Sequence, residues 1–282
     1  MIQTICVCGA GTMGIGIAQV AARHGFPTIL FDIDLNKLES ARSEVERNAR
    51  ILEEKNKISG AEKKDLLEKI VYTNKAEDCR ADIIMEAIVE NPTSKRALFS
   101  SLAEFNSAET IFASNTSSLS IGEIAAGITQ PDRVVGMHFF NPATTMKLVE
   151  VVSTPETSER TRELVIDLAS KMGKIAVLCL DEPGFIVNRV ARPYYLESLW
   201  ILEKYHVEVE LIDELTESCG FRMGPFKLMD LIGNDINFAV SNSLYAALGN
   251  PDRLMPSPLQ QIKVAKGELG KKSGKGYYSY SE

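Results

Sequence analysis

Four groups of residues in this 282-residue chain have the types and spacing to do chemistry: Ser114-Asn115-Thr116-Ser117-Ser118, His138, Glu150 and Asn188. His138 sits near the end of an apolar, β-prone run, Val134–Phe139. Glu150 lies inside Lys147–Val152, another β-rich run in which a carboxylate is buried on either face. Buried charge is costly unless paired, and His138, across a short connection, is the nearest partner in sequence. A carboxylate that orients an imidazole and raises its basicity is how a general base is set up near neutral pH. The same pair could be purely structural, and a lone strand histidine is more often a satisfied core residue. The serine cluster could present a hydroxyl to a substrate, or serve only as a loop with a helix N-cap before Ile121. Asn188, in the first turn of a helix after Pro183-Gly184, could donate to a substrate oxygen or merely bond backbone.

The stretch from Ile2 to Asp32 has the pattern needed to place a cofactor beside such groups. A short apolar run, Ile2–Cys8, breaks at Gly9-Ala10-Gly11-Thr12-Met13-Gly14. A helical pattern follows (Ile15, Ala18, Ala21, Ala22), then a second apolar run, Pro27–Phe31, that ends on Asp32. Strand, glycine turn, helix and strand with a terminal acid form the context a dinucleotide-binding glycine motif requires. The glycines allow a tight turn, let backbone approach a pyrophosphate, and let the helix pack closely on the strand. Asp32 repels a ribose 2′-phosphate, and Ile33 and Asp34 supply no arginine to accept one, so the pattern predicts NAD over NADP.

Beyond Asp32, Leu38, Ala41, Val45, Ala49 and Leu52 recur at helical spacing from Leu35 to about Lys57, and a second short helix is predicted over Ala61–Glu68. Together they read as a helical hairpin, about 35–68, leaning out from the sheet, with Arg50, Lys55 and Lys57 near its tip. Apolar runs then recur at Ile70–Thr73, Ile83–Ala87, Thr110–Ala113, Val134–Phe139, Leu148–Val152 and Lys174–Leu178. Helical patterns lie between several of them, notably Ser94–Leu102 and Glu156–Met172. This alternation predicts an α/β, Rossmann-type, doubly wound sheet, mostly parallel and covered on both faces. The short Asn-Pro link between the Val134 and Leu148 runs permits an antiparallel pair, so the late part of the sheet reads as mixed. Glu86–Asn91, Ser114–Ser118 and His138–Asn141 fall at carboxyl ends of strands, where open α/β sheets bind ligands.

After Asp181-Glu182-Pro183-Gly184 the strand signal fades. Helices are predicted at about 185–204, 208–219, 227–248 (broken near Gly233) and 257–266, with Pro193 expected to kink or shift the first. The boundary near Glu182 gives an N-terminal α/β domain, 1–183, and an all-α C-terminal domain, 184–282. No apolar run reaches the roughly 18 residues that span a bilayer, and no secretory signal opens the chain. Thirty-one basic against 38 acidic residues leave a net charge of −7, which disfavours nucleic acid as the main partner. Cys6, Cys8, Cys79, Cys179 and Cys219 are scattered and odd in number, without zinc-ligand spacing. They read as reduced core thiols of a cytoplasmic protein, and no metal site is expected.

On these residues the chain resembles the 3-hydroxyacyl-CoA dehydrogenases, most closely the short bacterial 3-hydroxybutyryl-CoA dehydrogenases. The resemblance covers essentially the whole chain. It is carried by Gly9–Gly14, Glu86–Asn91, Ala113–Leu119, Gly136–Pro142, Lys147–Glu150, Pro183–Arg189, Gly224-Pro225 and Lys272–Tyr277. It implies that His138 takes the proton of the substrate 3-hydroxyl while hydride leaves for NAD, and that Glu150 holds His138. Ser117 and Asn188 would hydrogen-bond the substrate oxygens, with Ser117 also near the nicotinamide. Asp32 would hold the adenosine ribose, with Glu90, Lys95, Asn141 and Lys272 near the cofactor. Lys55, with Arg50, would meet the coenzyme A phosphates, although the position of a family lysine on this arm carries Ile51. The resemblance also implies a homodimer through the C-terminal helical domain. Two alternatives stay open: a dehydrogenase for dicarboxylic acyl-CoA such as 3-hydroxyadipyl-CoA, and a non-catalytic NAD-binding protein of the same fold, as among lens crystallins.

Overall fold

The computed structural model describes residues 1–280, and the chain divides into two compact units, the first Met1–Glu182 and the second from Pro183 onward. The first unit is built on eight strands: β1 (Ile5–Cys8), β2 (Thr28–Phe31), β3 (Ile70–Thr73), β4 (Ile83–Glu86), β5 (Ile111–Ser114), β6 (Val134–Phe139), β7 (Leu148–Ser153) and β8 (Ile175–Leu180). They form one sheet in the order β3-β2-β1-β4-β5-β6-β7-β8. Strands β1 to β6 are parallel to their neighbours, β7 runs antiparallel to β6, and β8 is parallel to β7. The mixed end expected from the short Asn-Pro link is therefore present.

Helices α1 (Thr12–Arg23), α2 (Leu35–Glu54), α3 (Gly60–Glu68), α4 (Pro92–Ala103), α5 (Ile121–Ala125) and α6 (Glu159–Lys171) connect these strands. Strands β1, β4 and β5 are buried along their whole length, as near-continuous apolar runs in a two-sided sheet must be. The hairpin α2–α3 does not simply lean out. Leu38, Ala41, Val45, Ala49 and Leu66 belong to the same buried cluster as Ile5, Val7, Ile17 and Leu30. An apolar stripe is stable only against a partner surface, and the sheet's own core supplies it. The capping box at Ser59 and Glu62 starts α3, and Arg50, Lys55 and Lys57 are exposed. Four of the cysteines are buried, but Cys219 is exposed, so the reading of all five as core thiols fails there.

The second unit holds α7 (Val187–Tyr205), α8 (Val209–Ser218), α9 (Pro225–Ile232), α10 (Asn234–Ala247) and α11 (Pro258–Ala265). Tyr195, Leu196, Leu199, Ile212, Phe226, Met229 and Leu254 form its core. The long 227–248 pattern is two helices that meet at Gly233. Pro193 removes one backbone donor, but α7 continues through it, because Tyr195, Leu196 and Leu199 beyond it are held in the core.

Candidate active site

The glycine loop is closed at Gly9 and Gly14 by contacts that tolerate no side chain. At Gly14 a Cβ would lie 1.7 Å from the carbonyl oxygen of Gly9, whereas at Gly11 it would meet nothing within 4 Å. Helix α1 begins at this loop without a side-chain cap. The other five helices of the unit all have one, from Asp34, Ser59, Asn91, Ser120 and Ser158. The first amides of a helix need acceptors, and an open, uncapped N-terminus with its positive dipole end suits a pyrophosphate. Asp32 stands at the end of β2. Its Oδ2 accepts from the Ala10 N–H at 2.8 Å and its Oδ1 from the Asp34 N–H at 3.0 Å. Each carboxylate oxygen can accept twice, so Asp32 can steady the loop and still receive ribose hydroxyls.

Adjacent strand ends carry the next groups. Glu86 closes β4 opposite Ser114 of β5, and both are completely buried. Lys95 of α4, also buried, points its ammonium at Glu86 Oε1 (2.6 Å) and Glu90 Oε2 (3.0 Å). Ser114 thus belongs to the strand and bonds Glu86 rather than opening the loop. The N-cap of α5 is Ser120, whose Oγ accepts from the Glu123 N–H, and Asp181 accepts from the Ile121 and Gly122 amides at 2.9 and 2.8 Å. The capping role considered for the serine cluster is therefore filled from outside it, and Ser117 is half-buried in the turn after β5.

His138 and Glu150 are directly opposed across the antiparallel β6–β7 pair. His138 Nδ1 lies 2.7 Å from Glu150 Oε2, with both residues buried. The His138 ring also packs against Phe140, centroids 4.5 Å apart. A carboxylate only accepts, so Nδ1 carries a proton in this contact, and the lone pair of a neutral ring so held is on Nε2. The β6–β7 connection bears the exposed Asn141. Lys174 pins that connection by donating to the carbonyls of Ala143 and Met146 at 2.5 and 2.8 Å.

In the second unit Asn188 lies in the first turn of α7, and its carbonyl accepts from Arg192 Nε at 3.3 Å. Burial lowers the Arg192 pKa to about 10. Its Nη1 is held by the Asn237 carbonyl and Ser241 Oγ, both at 3.0 Å, which makes it a strut between α7 and α10. Lys272 is paired with Asp235 at 2.7 Å. The glycine-rich tail around it has a structural reason. Buried Asp230 accepts from the Tyr277 and Tyr278 amides, each at 2.9 Å, and a Cβ on Gly276 would fall 2.0 Å from its Oδ1.

Residues 4–182 match the NAD-binding domain model of 3-hydroxyacyl-CoA dehydrogenase, and residues 184–280 match its C-terminal domain model. The chain belongs to the 3-hydroxyacyl-CoA dehydrogenase family. It is 44% identical over 281 residues to a 3-hydroxyadipyl-CoA dehydrogenase of Escherichia coli, covering 99% of this chain but 59% of that protein. It is 41% identical over 283 residues to a probable 3-hydroxybutyryl-CoA dehydrogenase of Bacillus subtilis, covering 100% and 98%. A solved (S)-3-hydroxybutyryl-CoA dehydrogenase from Ralstonia eutropha superposes with a TM-score of 0.95 at 36% identity over 100% of both chains.

As in the family, the cofactor is NAD, and the uncapped α1 N-terminus with Asp32 at the end of β2 fits it. Among the described residues no cluster of His, Cys, Asp or Glu could hold a metal ion, and no helix is long and apolar enough to cross a membrane. Sequence reasoning missed Glu86, Ser114 and Thr116 as individual contributors, and Lys174 and Asp181 altogether. The one available signal was a glutamate and a lysine nine positions apart flanking an apolar strand end, where two opposite charges are cheapest if paired.

Proposed function

We propose that the protein catalyses NAD-dependent interconversion of short-chain (S)-3-hydroxyacyl-CoA and 3-oxoacyl-CoA, with 3-hydroxybutyryl-CoA as a representative substrate. The buried 2.7 Å contact between His138 Nδ1 and Glu150 Oε2 carries this reading. It supports a neutral imidazole with Nε2 as the base that removes the proton of the 3-hydroxyl, and in reduction returns it. Glu150, itself buried, orients the ring and stabilises the imidazolium that forms. NAD, when bound, supplies the hydride acceptor. Ser117 and Asn188 donate hydrogen bonds to the substrate oxygens, Ser117 also facing the nicotinamide. Glu90, Lys95, Asn141 and Lys272 support the cofactor side of the site.

Arg50 and Lys55 receive the coenzyme A phosphates. Both are exposed and form no ion pair among the described residues, while neighbouring Glu53 and Lys63 pair with each other. The protein acts in the cytoplasm as a homodimer through its helical domain. Leu211, Leu215 and Phe221 are each more than half exposed, the kind of apolar surface a subunit interface covers.

A second reading, oxidation of 3-hydroxyadipyl-CoA, is favoured by the 44% identity to an enzyme of that name. Loss of NADH absorbance with acetoacetyl-CoA and with 3-oxoadipyl-CoA tests both. A kcat/KM at least about tenfold higher for acetoacetyl-CoA supports the first reading, and the reverse ranking supports the second. Turnover of neither would overturn both.

A further inference from the structure

Glu86 commits its whole carboxylate to the strand ends around the site. Oε1 accepts from Lys95 Nζ at 2.6 Å and from the Ile88 N–H at 2.7 Å, and Oε2 accepts from Ser114 Oγ at 2.6 Å. Lys95 carries the connection on to Glu90. Glu90 accepts from the Thr116 hydroxyl, from the Ser117 N–H at 3.2 Å and from Ser118 Oγ at 3.2 Å. A second branch returns to the same hub. Ser114 Oγ accepts from the Thr116 N–H at 3.3 Å. The Asn115 N–H donates to the Glu86 carbonyl at 2.8 Å, and Asn115 Oδ1 accepts at 2.8 Å from the N–H of Phe139, the residue after His138.

Two carboxylates share one buried ammonium here, an arrangement more costly than a single pair or an apolar filling. Burial raises the pKa of Glu90, but the Lys95 charge and the bonds from Thr116, Lys95 and Ser117 outweigh it and hold the group below the usual range. Glu90 is therefore ionised at neutral pH and only accepts, so the Thr116 hydroxyl, the Ser117 N–H and the Ser118 hydroxyl each point a donor at it. With its charge held between two carboxylates, Lys95 acts on this turn rather than as a direct partner of a phosphate.

We propose that Glu86 is a positioning residue for the site, acting through Lys95 and Glu90 to fix the Thr116–Ser118 turn that presents Ser117. This rests on the reading of Ser117 as substrate-facing. Misplacing a reacting group by about 1 Å from a distance can cost roughly 10²-fold in rate, which is the scale this network protects.

The test uses the full-length protein with Glu86→Gln, Thr116→Val and both together. Three quantities are read: amide hydrogen exchange over residues 116–119, the NADH Kd by fluorescence, and kcat with acetoacetyl-CoA. Each single variant is expected to speed exchange of those amides and lower kcat about 10- to 100-fold, with the NADH Kd within about threefold of wild type. The combined variant is expected to lose no more than the worse single one, because both cut the same connection. Unchanged exchange with retained kcat overturns the proposal. So does a Kd raised about tenfold or more with unchanged exchange, which would make the network a direct cofactor contact. Thr116→Val, close in shape to the native residue, decides the matter if Glu86→Gln does not fold. If the wild type fails to turn over acetoacetyl-CoA, the assigned activity falls, while the exchange result still tests the positioning.

Discussion

His138 and Glu150 face each other as a registered pair on antiparallel strands, Nδ1 to Oε2 at 2.7 Å. With Nδ1 taken up by the carboxylate, the imidazole's second nitrogen, Nε2, lies across the ring from that contact. Glu150→Gln keeps the shape but presents an amide that can donate as well as accept, so the protonation of Nδ1 is no longer dictated. We expect kcat to fall roughly 10²-fold, within the span of general-base effects, with NADH binding unchanged. Saturating kinetics beside fluorescence titration check this, and full kcat in the variant would remove Glu150 from the mechanism.

The glycine loop separates packing from ligand approach. Gly14→Ala forces a methyl against the Gly9 carbonyl and is expected to lower Tm and raise the NADH Kd at least about tenfold, roughly 1.4 kcal/mol. Gly11 has an ordinary φ of −84° and open space around it. Gly11→Ala should therefore weaken NADH binding and leave Tm almost unchanged. Equal losses of Tm in the two variants would contradict this division.

Asp32 bonds the Ala10 amide of the loop, and we propose that it holds the adenosine ribose, where its carboxylate repels a 2′-phosphate. The kcat/KM with NADH is expected to exceed that with NADPH by about 10²-fold or more, since opposing like charges cost several kcal/mol. Parallel steady-state assays measure it, and a preference for NADPH would refute the role of Asp32.

Acid should loosen the tail of the second unit. Hydrogen bonds from Lys263 and Lys275 hold Glu268 at a pKa of about 2, down from 4.5. The folded state thus binds this proton less readily than the unfolded state. Its stabilisation is complete above about pH 4.5 and is lost as pH falls toward about 2. Glu268→Gln should melt below wild type at pH 6, and the gap should close across that window. A gap that persists at about pH 2 would show that the ion pairs contribute nothing.

Much of this could be read from one dimension. Alternating apolar runs placed the strands within one to three residues, because the central strands β1, β4 and β5 are buried on both faces and leave few alternatives. Glu150 stood out because a carboxylate inside such a run needs a partner, and the short link left His138 as the nearest. Glu86 was visible only as one member of a polar cluster. Its partners Lys95 and Ser114 come 9 and 28 residues later, and periodicity carries no information about which charges meet across a sheet. The tail motif was opaque for the same reason, since Gly276 is explained by Asp230, a residue of α9 far away in sequence. The hairpin's burial against the sheet was missed because a narrow apolar stripe says that a surface is covered but not by what.

His138 is proposed as the base in NAD-dependent oxidation of a 3-hydroxyacyl-CoA. The most direct measurement is kcat/KM for NADH oxidation by acetoacetyl-CoA in wild type and His138→Ala, with NADH binding measured alongside. The variant is expected to lose roughly 10²- to 10⁴-fold with cofactor affinity intact. Activity that survives within a few-fold would contradict it.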